Sequence, residues 1–161
     1  MELLVRPANF ADPSDCDGIV DVLDSYAADR VGGGKPLSPD VRDRLVPLLR
    51  EHPTVLVLLA FADRRAVGIA VGFFGLSTFQ ARPLLNIHDL AVLPQYRGRG
   101  VGRELLRAAE DHARRERCCT LTLEVQDDNA RALALYRSFG FTDVVYGDSA
   151  PTRFLAKPLE G

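Results

Sequence analysis

The chain has 161 residues and a mass of 17.7 kDa, with 47% hydrophobic and 26% charged residues; this suits one globular domain with a real core rather than a disordered or fibrous chain. A formal net charge of −2 gives no broadly basic surface for coating nucleic acid. No apolar run reaches the roughly 18 residues of a membrane span, and the opening MELLVRPANF lacks the basic and apolar regions of a secretory leader. The expectation is a cytoplasmic protein with neither nucleic-acid nor membrane partners. Cys16, Cys118 and Cys119 are odd in number and the last two are adjacent, so reduced thiols and no metal site are expected.

Taken in order, residues 2–8 alternate around Leu3 and Val5 and predict an entry strand ended by Pro7 and Asn9. Pro13, Ser14 and Asp15 open a helix to about residue 29, with Ile19, Val22, Leu23 and Tyr26 at helical spacing. Gly32, Gly33 and Gly34 break the chain, either as a mobile lid over a substrate site or as a plain solvated loop. Ser38 then caps a second helix with Pro39 at its first position, ending before Pro53, with Pro47 as a candidate kink. Residues 54–62 and 66–76 read as an antiparallel hairpin about the turn Asp63, Arg64, Arg65. After a loop at 77–83 comes a buried strand over 85–93.

Beyond Pro94 lies a loop with Gly98, Gly100 and Gly102, feeding a helix whose stripe is Val101, Leu105, Leu106, Ala109 and Ala113. That helix fades at Arg117, and residues 120–125 alternate as a strand with Thr120, Thr122 and Glu124 on one face. Asp127, Asp128 and Asn129 give a turn and cap, residues 130–139 a helix, and Gly140 its left-handed stop. Residues 141–146 predict another strand and residues 153–157 a weak last one.

The window 85–107 carries the densest chemistry. A strand that feeds a glycine loop opening a helix presents unpartnered backbone N–H groups to an anion, and Arg97, Arg99, Arg103 and Arg107 crowd the same window. A Walker loop would need Lys-Ser or Lys-Thr where Arg103 and Glu104 stand, and a Rossmann fingerprint has a different glycine spacing near an N-terminal strand. Arg97-x-x-Gly100-x-Gly102, after a strand ending in Leu90, Ala91 and Val92, resembles the cofactor segment of the GNAT superfamily of acetyl-CoA-dependent N-acetyltransferases. The stretch EVQDDNARALALYRSFGF, from Glu124 to Phe141, resembles that superfamily's second signature.

The resemblance implies an α/β fold of GNAT type over a single domain, 1–161: a mixed, mostly antiparallel sheet with helices on both faces. It implies acetyl-CoA as co-substrate, its pantetheine arm held by the main chain of Leu90, Ala91 and Val92. The pyrophosphate is then wrapped by Gly98, Arg99, Gly100, Val101, Gly102 and Arg103, with Arg97 also among the cofactor-binding residues. Asn129 contacts the pantetheine region by the same resemblance, although an N-cap alone also explains it. Tyr136, two helical turns on, is the acid for the departing thiolate or else a core tyrosine. For the base the order is Glu124, then Asp89, then His88, with strand alternation turning His88 and Leu90 one way and Asp89 and Ala91 the other.

The loop residues Ser77, Thr78, Phe79 and Pro83, with His88 and Asp89, also resemble the diamine acetyltransferase branch, in which an acidic residue is usual at the His88 position. On that reading Asp24, Asp29 and Asp89 attract a cationic amine. The expected reaction is direct acetyl transfer to a primary amine on a small molecule. A protein N-terminus or lysine is the other acceptor, and a non-catalytic CoA-binding module the reading from another class. Dimers are frequent in this superfamily, so a homodimer is compatible with the resemblance.

Overall fold

The structure, a computed structural model, describes residues 1–159. Its backbone groups into two compact units, Met1–Leu123 and Glu124–Gly161. The first holds a five-stranded sheet in the order β1 (Leu3–Pro7), β2 (Val55–Ala62), β3 (Arg65–Ser77), β4 (Arg82–Val92), β5 (Leu121–Leu123). The first four are antiparallel neighbours, β2 with β3 and β3 with β4 through short reversals and β1 with β2 across the helical residues 8–54, whereas β5 runs parallel to β4 after a helical crossover. Among the described residues no helix is long and apolar enough to cross a membrane.

Local signals set the helix ends. In α1 (Pro13–Ala28) Asp12 accepts from the Ser14 N–H and Pro13 occupies the first turn. In α2 (Pro39–Glu51) Ser38 accepts from the Val41 N–H, and the helix runs on through Pro47 to Leu49, which is buried in the core. Tertiary burial of the last turn outweighs the local penalty of that proline. The β2–β3 reversal sits on Asp63 and Arg64, whose φ of 49° and 67° are the paired positive values of a type I′ turn.

Strand alternation then builds two apolar layers. Val57, Leu59 and Phe61 of β2 join Ile69 and Val71 of β3 against Ile19, Val22 and Leu23 of α1. The opposite face receives α3 (Val101–Arg115) so closely that a Cβ on Gly68 would meet Val101 Cγ1 at 2.9 Å and Leu105 Cδ1 at 3.1 Å. Helices therefore cover both faces, as expected.

One buried polar anchor was not foreseen. Asp15, 1% exposed, takes both ends of the Arg6 guanidinium at 2.6 and 2.9 Å and the Asn9 N–H at 2.7 Å. The Arg6 hydrogen bond, aided by the Asn9 N–H, holds this carboxyl below its usual range against the opposing pull of burial.

The triglycine segment is a hydrogen-bonded turn. The N–H groups of Gly32 and Gly34 donate to the Asp29 carbonyl at 3.0 and 2.8 Å, and Lys35 N–H donates to the Ala27 carbonyl at 3.1 Å. Gly33 and Gly34 take φ of +113° and +76°, which glycine adopts without strain.

The second unit holds α4 (Ala130–Phe139), as expected. The strands expected at 141–146 and 153–157 do not form. A hydrogen bond from Thr152 N–H to the Val144 carbonyl and a turn from Ser149 N–H to the Tyr146 carbonyl stand in their place. A β-rich composition makes no strand without a ladder to join.

Candidate active site

The site is organised by one extra residue in β4. Opposite β3, Val71 pairs with Asp89 and Gly72 with Ile87, leaving His88 without a partner in a β-bulge. Leu85 and Ile87 lie outside the cluster beneath α1, yet Ala91 and Leu93, of the same parity, lie within it. The bulge has exchanged the faces of the strand. His88 and Asp89 therefore both project to the α1 side: the His88 ring meets Phe73 edge-on at 5.7 Å, and Asp89 is opposite Val71. The simple alternation that separates these two groups fails here.

The bulge also turns the hydrogen-bonding edge. Before it, β5 pairs with β4 from Leu85 to Ile87, and the Leu85 N–H donates to the Thr120 carbonyl at 3.1 Å. Beyond it, the Leu93 N–H donates to the Val67 carbonyl of β3 at 2.8 Å. By the antiparallel alternation Ala91 turns its main chain to β3, and Leu90 and Val92 turn theirs to the other edge, where among the described residues no strand pairs. Of the three residues expected to offer main-chain groups, Leu90 turns its main chain and Val92 its N–H to this edge, the Val92 carbonyl accepts from Arg97, and Ala91 is engaged in the ladder.

This edge leads directly into the glycine loop. Pro94–Tyr96 make one 3₁₀ turn, Gly98 and Gly100 adopt φ of +71° and +84°, and α3 begins at Val101. Gly100 has no side chain with which to cap α3, so the leading N–H groups of the helix face the loop. Tyr96 lies under the Arg99 guanidinium at 5.7 Å, Arg107 is paired with Glu104, and Arg103 is half-buried on the first helical turn. Arg97 departs from expectation. Its side chain is engaged by Asp29 at 2.6 Å and by the Val92 carbonyl at 3.0 Å.

The ionisable groups on the α1 side sort by partner. Asp24 accepts from the Leu37 N–H and from Arg42, each at 2.8 Å, and Asp29 is held by Arg97. Two of the three aspartates expected to attract a cationic amine, Asp24 and Asp29, are thus paired within the fold. Asp89 differs: burial raises its carboxyl above the ordinary range, with the neighbouring His88 opposing. Tyr26, missed as a site residue because its spacing marked it as core, is pushed up by burial and then by the charges of Asp89 and Asp29. Burial, with Cys119 and Glu116 adding to it, also pushes the Cys118 thiol up, which disfavours a thiolate nucleophile.

In the second unit Glu124 is exposed and lies beyond the end of β5. Asn129 accepts from the Ala132 N–H at 3.3 Å as the cap of α4. Gly140, with φ of +109°, and Phe141 close the helix by donating to the Arg137 and Tyr136 carbonyls at 3.1 and 3.0 Å. Tyr136 is buried, its ring edge-on to Phe141 at 5.9 Å. Among the described residues no cluster of His, Cys, Asp or Glu could hold a metal ion.

Comparison with known proteins bears on this geometry. The model of the Acetyltransferase (GNAT) family matches residues 19–141. Over 86 residues the chain is 43% identical to N-alpha-acetyltransferase RimI of Mycobacterium tuberculosis, covering 52% of each chain. It is 42% identical over 76 residues to streptothricin acetyltransferase of Streptomyces lavendulae, covering 47% of this chain and 40% of that one. The chain spans about half the length of the curated relatives it matches, or less. The fold is similar to that of a transcriptional regulator from Bacillus halodurans C-125, with a TM-score of 0.77 at 20% identity over 94% of this chain and 100% of that one.

Proposed function

The chain belongs to the Acetyltransferase (GNAT) family, and from that premise we propose that it is an N-acetyltransferase, a single domain over 1–161, that moves acetyl from acetyl-CoA to a primary amine. The observation that carries the reading is the open edge of β4 running without a break into the uncapped start of α3. Amides of a pantetheine arm pair with a strand edge as another strand would, and a diphosphate suits backbone N–H groups at a helix start. Leu90 and Val92 hold the arm, and residues 98–103 hold the diphosphate.

The co-substrate supplies an acetyl group already activated as a thioester. The chain's own groups do the remaining work. A main-chain N–H on the open edge stabilises the charge that develops on the carbonyl oxygen. Asp89 takes the proton from the attacking amine, directly or through one water, because its half-buried carboxylate is a stronger base than an exposed one. This revises the expected order in favour of Asp89 over the exposed Glu124. Tyr136 is the proton donor to the departing thiolate, and Asn129 contacts the cofactor; both roles come from the resemblance of their segment to the family signature.

The acceptor is a small-molecule amine. The half-buried Asp89, flanked by Tyr26 and His88 on the α1 side, supports a compact ammonium head. Similarity to RimI favours a second reading, in which a peptide N-terminus takes the same place. Thiol release from acetyl-CoA, followed with small amines and peptides in competition, tests both. A Tyr136→Phe enzyme is expected to lose about a hundredfold in turnover at neutral pH; full turnover removes Tyr136 as the acid.

A further inference from the structure

Arg97 stands among the residues that the resemblance gives to the cofactor, and its guanidinium suits a phosphate, but its planar group is occupied within the fold. Nη2 lies 2.6 Å from Asp29 Oδ2 and Nε lies 3.0 Å from the Val92 carbonyl oxygen. Both side chains of the ion pair are about three-quarters buried, at 22% and 25% exposure, so solvent screens it less than a surface pair. The Val92 carbonyl belongs to the same peptide unit as the Leu93 N–H, which donates to the Val67 carbonyl at 2.8 Å. That unit is held at both ends, once by Val67 of β3 and once by Arg97. On the other side, Asp29 closes α1 through its N–H on the Tyr26 carbonyl, and its own carbonyl gathers the N–H groups of Gly32 and Gly34. One residue thus fixes the triglycine turn by its main chain and Arg97 by its carboxylate.

Because a guanidinium is rigid, displacing Asp29 displaces the Val92 carbonyl with it. We propose that Arg97 is a positioning residue and not a phosphate ligand: Asp29 and Arg97 form a latch that ties the turn after α1 to the open edge of β4 and fixes the orientation of that edge. The proposal rests on the reading that this edge receives the pantetheine arm. It makes Asp29 a remote determinant of donor binding.

The two roles of Arg97 separate when the donor is shortened. Kinetics of Arg97→Gln, Arg97→Lys, Asp29→Asn and the Asp29→Asn/Arg97→Gln double variant are measured with acetyl-CoA and with acetylpantetheine, which lacks nucleotide and diphosphate. The latch predicts that Arg97→Gln and Asp29→Asn each raise KM about tenfold for both donors, with kcat changed much less, and that the double variant is no worse than either single one. Arg97→Lys keeps the ion pair but cannot also reach the Val92 carbonyl, so it rescues only in part. A loss confined to acetyl-CoA, or an Asp29→Asn enzyme with the wild-type KM, overturns the proposal. Calorimetric Kd values for CoA repeat the comparison without turnover, so failure of catalysis is read apart from failure of the latch. Thermal melts identify any variant that does not fold, and the remaining single variants carry the same contrast.

Discussion

The two halves of β4 belong to one continuous strand and behave as different materials. From Leu85 to Ile87 it is bonded on both edges, with Leu85 fully buried and Ile87 nearly so. From Asp89 to Val92 it is bonded to β3 alone, carries a half-buried carboxylate, and presents the main chain of Leu90 and Val92 on its other edge. His88 alone separates them. A single inserted residue, by exchanging both the side-chain faces and the hydrogen-bonding edge, turns scaffold into a surface able to take a ligand.

Substitutions confined to one half break or sharpen this contrast. The largest effect belongs to Asp89→Asn in the second half, with kcat/KM expected to fall about a thousandfold. If Asp89 is the base, the acid limb of the wild-type kcat/KM is expected above the ordinary carboxylate range, because burial raises this carboxyl. By the same sign, the stability linked to Asp89 is present at low pH and lost as pH rises through that raised value. Asp89→Asn is therefore expected to melt higher than wild type at neutral pH while losing the acid limb, and a lower melting point there counts against a strained base.

Leu85→Ala acts on the first half, removing a fully buried side chain. It should cost about 3 kcal/mol, or roughly 10 °C in Tm, with KM for acetyl-CoA unchanged. A changed KM with an unchanged Tm would erase the distinction between the halves. Val92→Pro is milder. Its lost N–H faces the open edge and not β3, so chemical denaturation should be near wild type while KM for acetyl-CoA rises about tenfold. The smallest effect is on acid stability through Asp29, whose carboxyl the Arg97 hydrogen bond holds below its ordinary range against the pull of burial. A depressed folded pKa gives stability that is full above the unfolded value and lost as pH falls through the folded one. Melting curves of Asp29→Asn should thus lack part of the wild-type decline below about pH 4.

Much of this was legible beforehand because it is local. The proline and serine starts of α1 and α2, the turn at Asp63 and Arg64, and the full extent of α4 follow from capping and turn chemistry that neighbouring residues decide. The glycine loop between β4 and α3 is likewise written in residues 98–102. What could not be read was partnership. Asp24, Asp29 and Arg97 look in sequence like charges available to a substrate or cofactor, and each is engaged by a residue between 5 and 68 positions away or by a neighbouring main chain. The strands expected at 141–146 and 153–157 failed for the same reason, since a ladder depends on a partner that no propensity names.

The order of the helices and of the first five strands, the apolar stripes and the glycine loop before α3 were determined by the amino-acid sequence alone, because each depends on spacing along the chain and on the backbone freedom of individual residues. The bulge at His88, the shared face of His88 and Asp89, the open edge of Leu90 and Val92, and the engagement of Arg97 were decided only in the folded molecule. Register between strands and pairing between distant charges, such as Arg97 with Asp29, are set by how whole elements pack, and spacing along the chain does not name the partner.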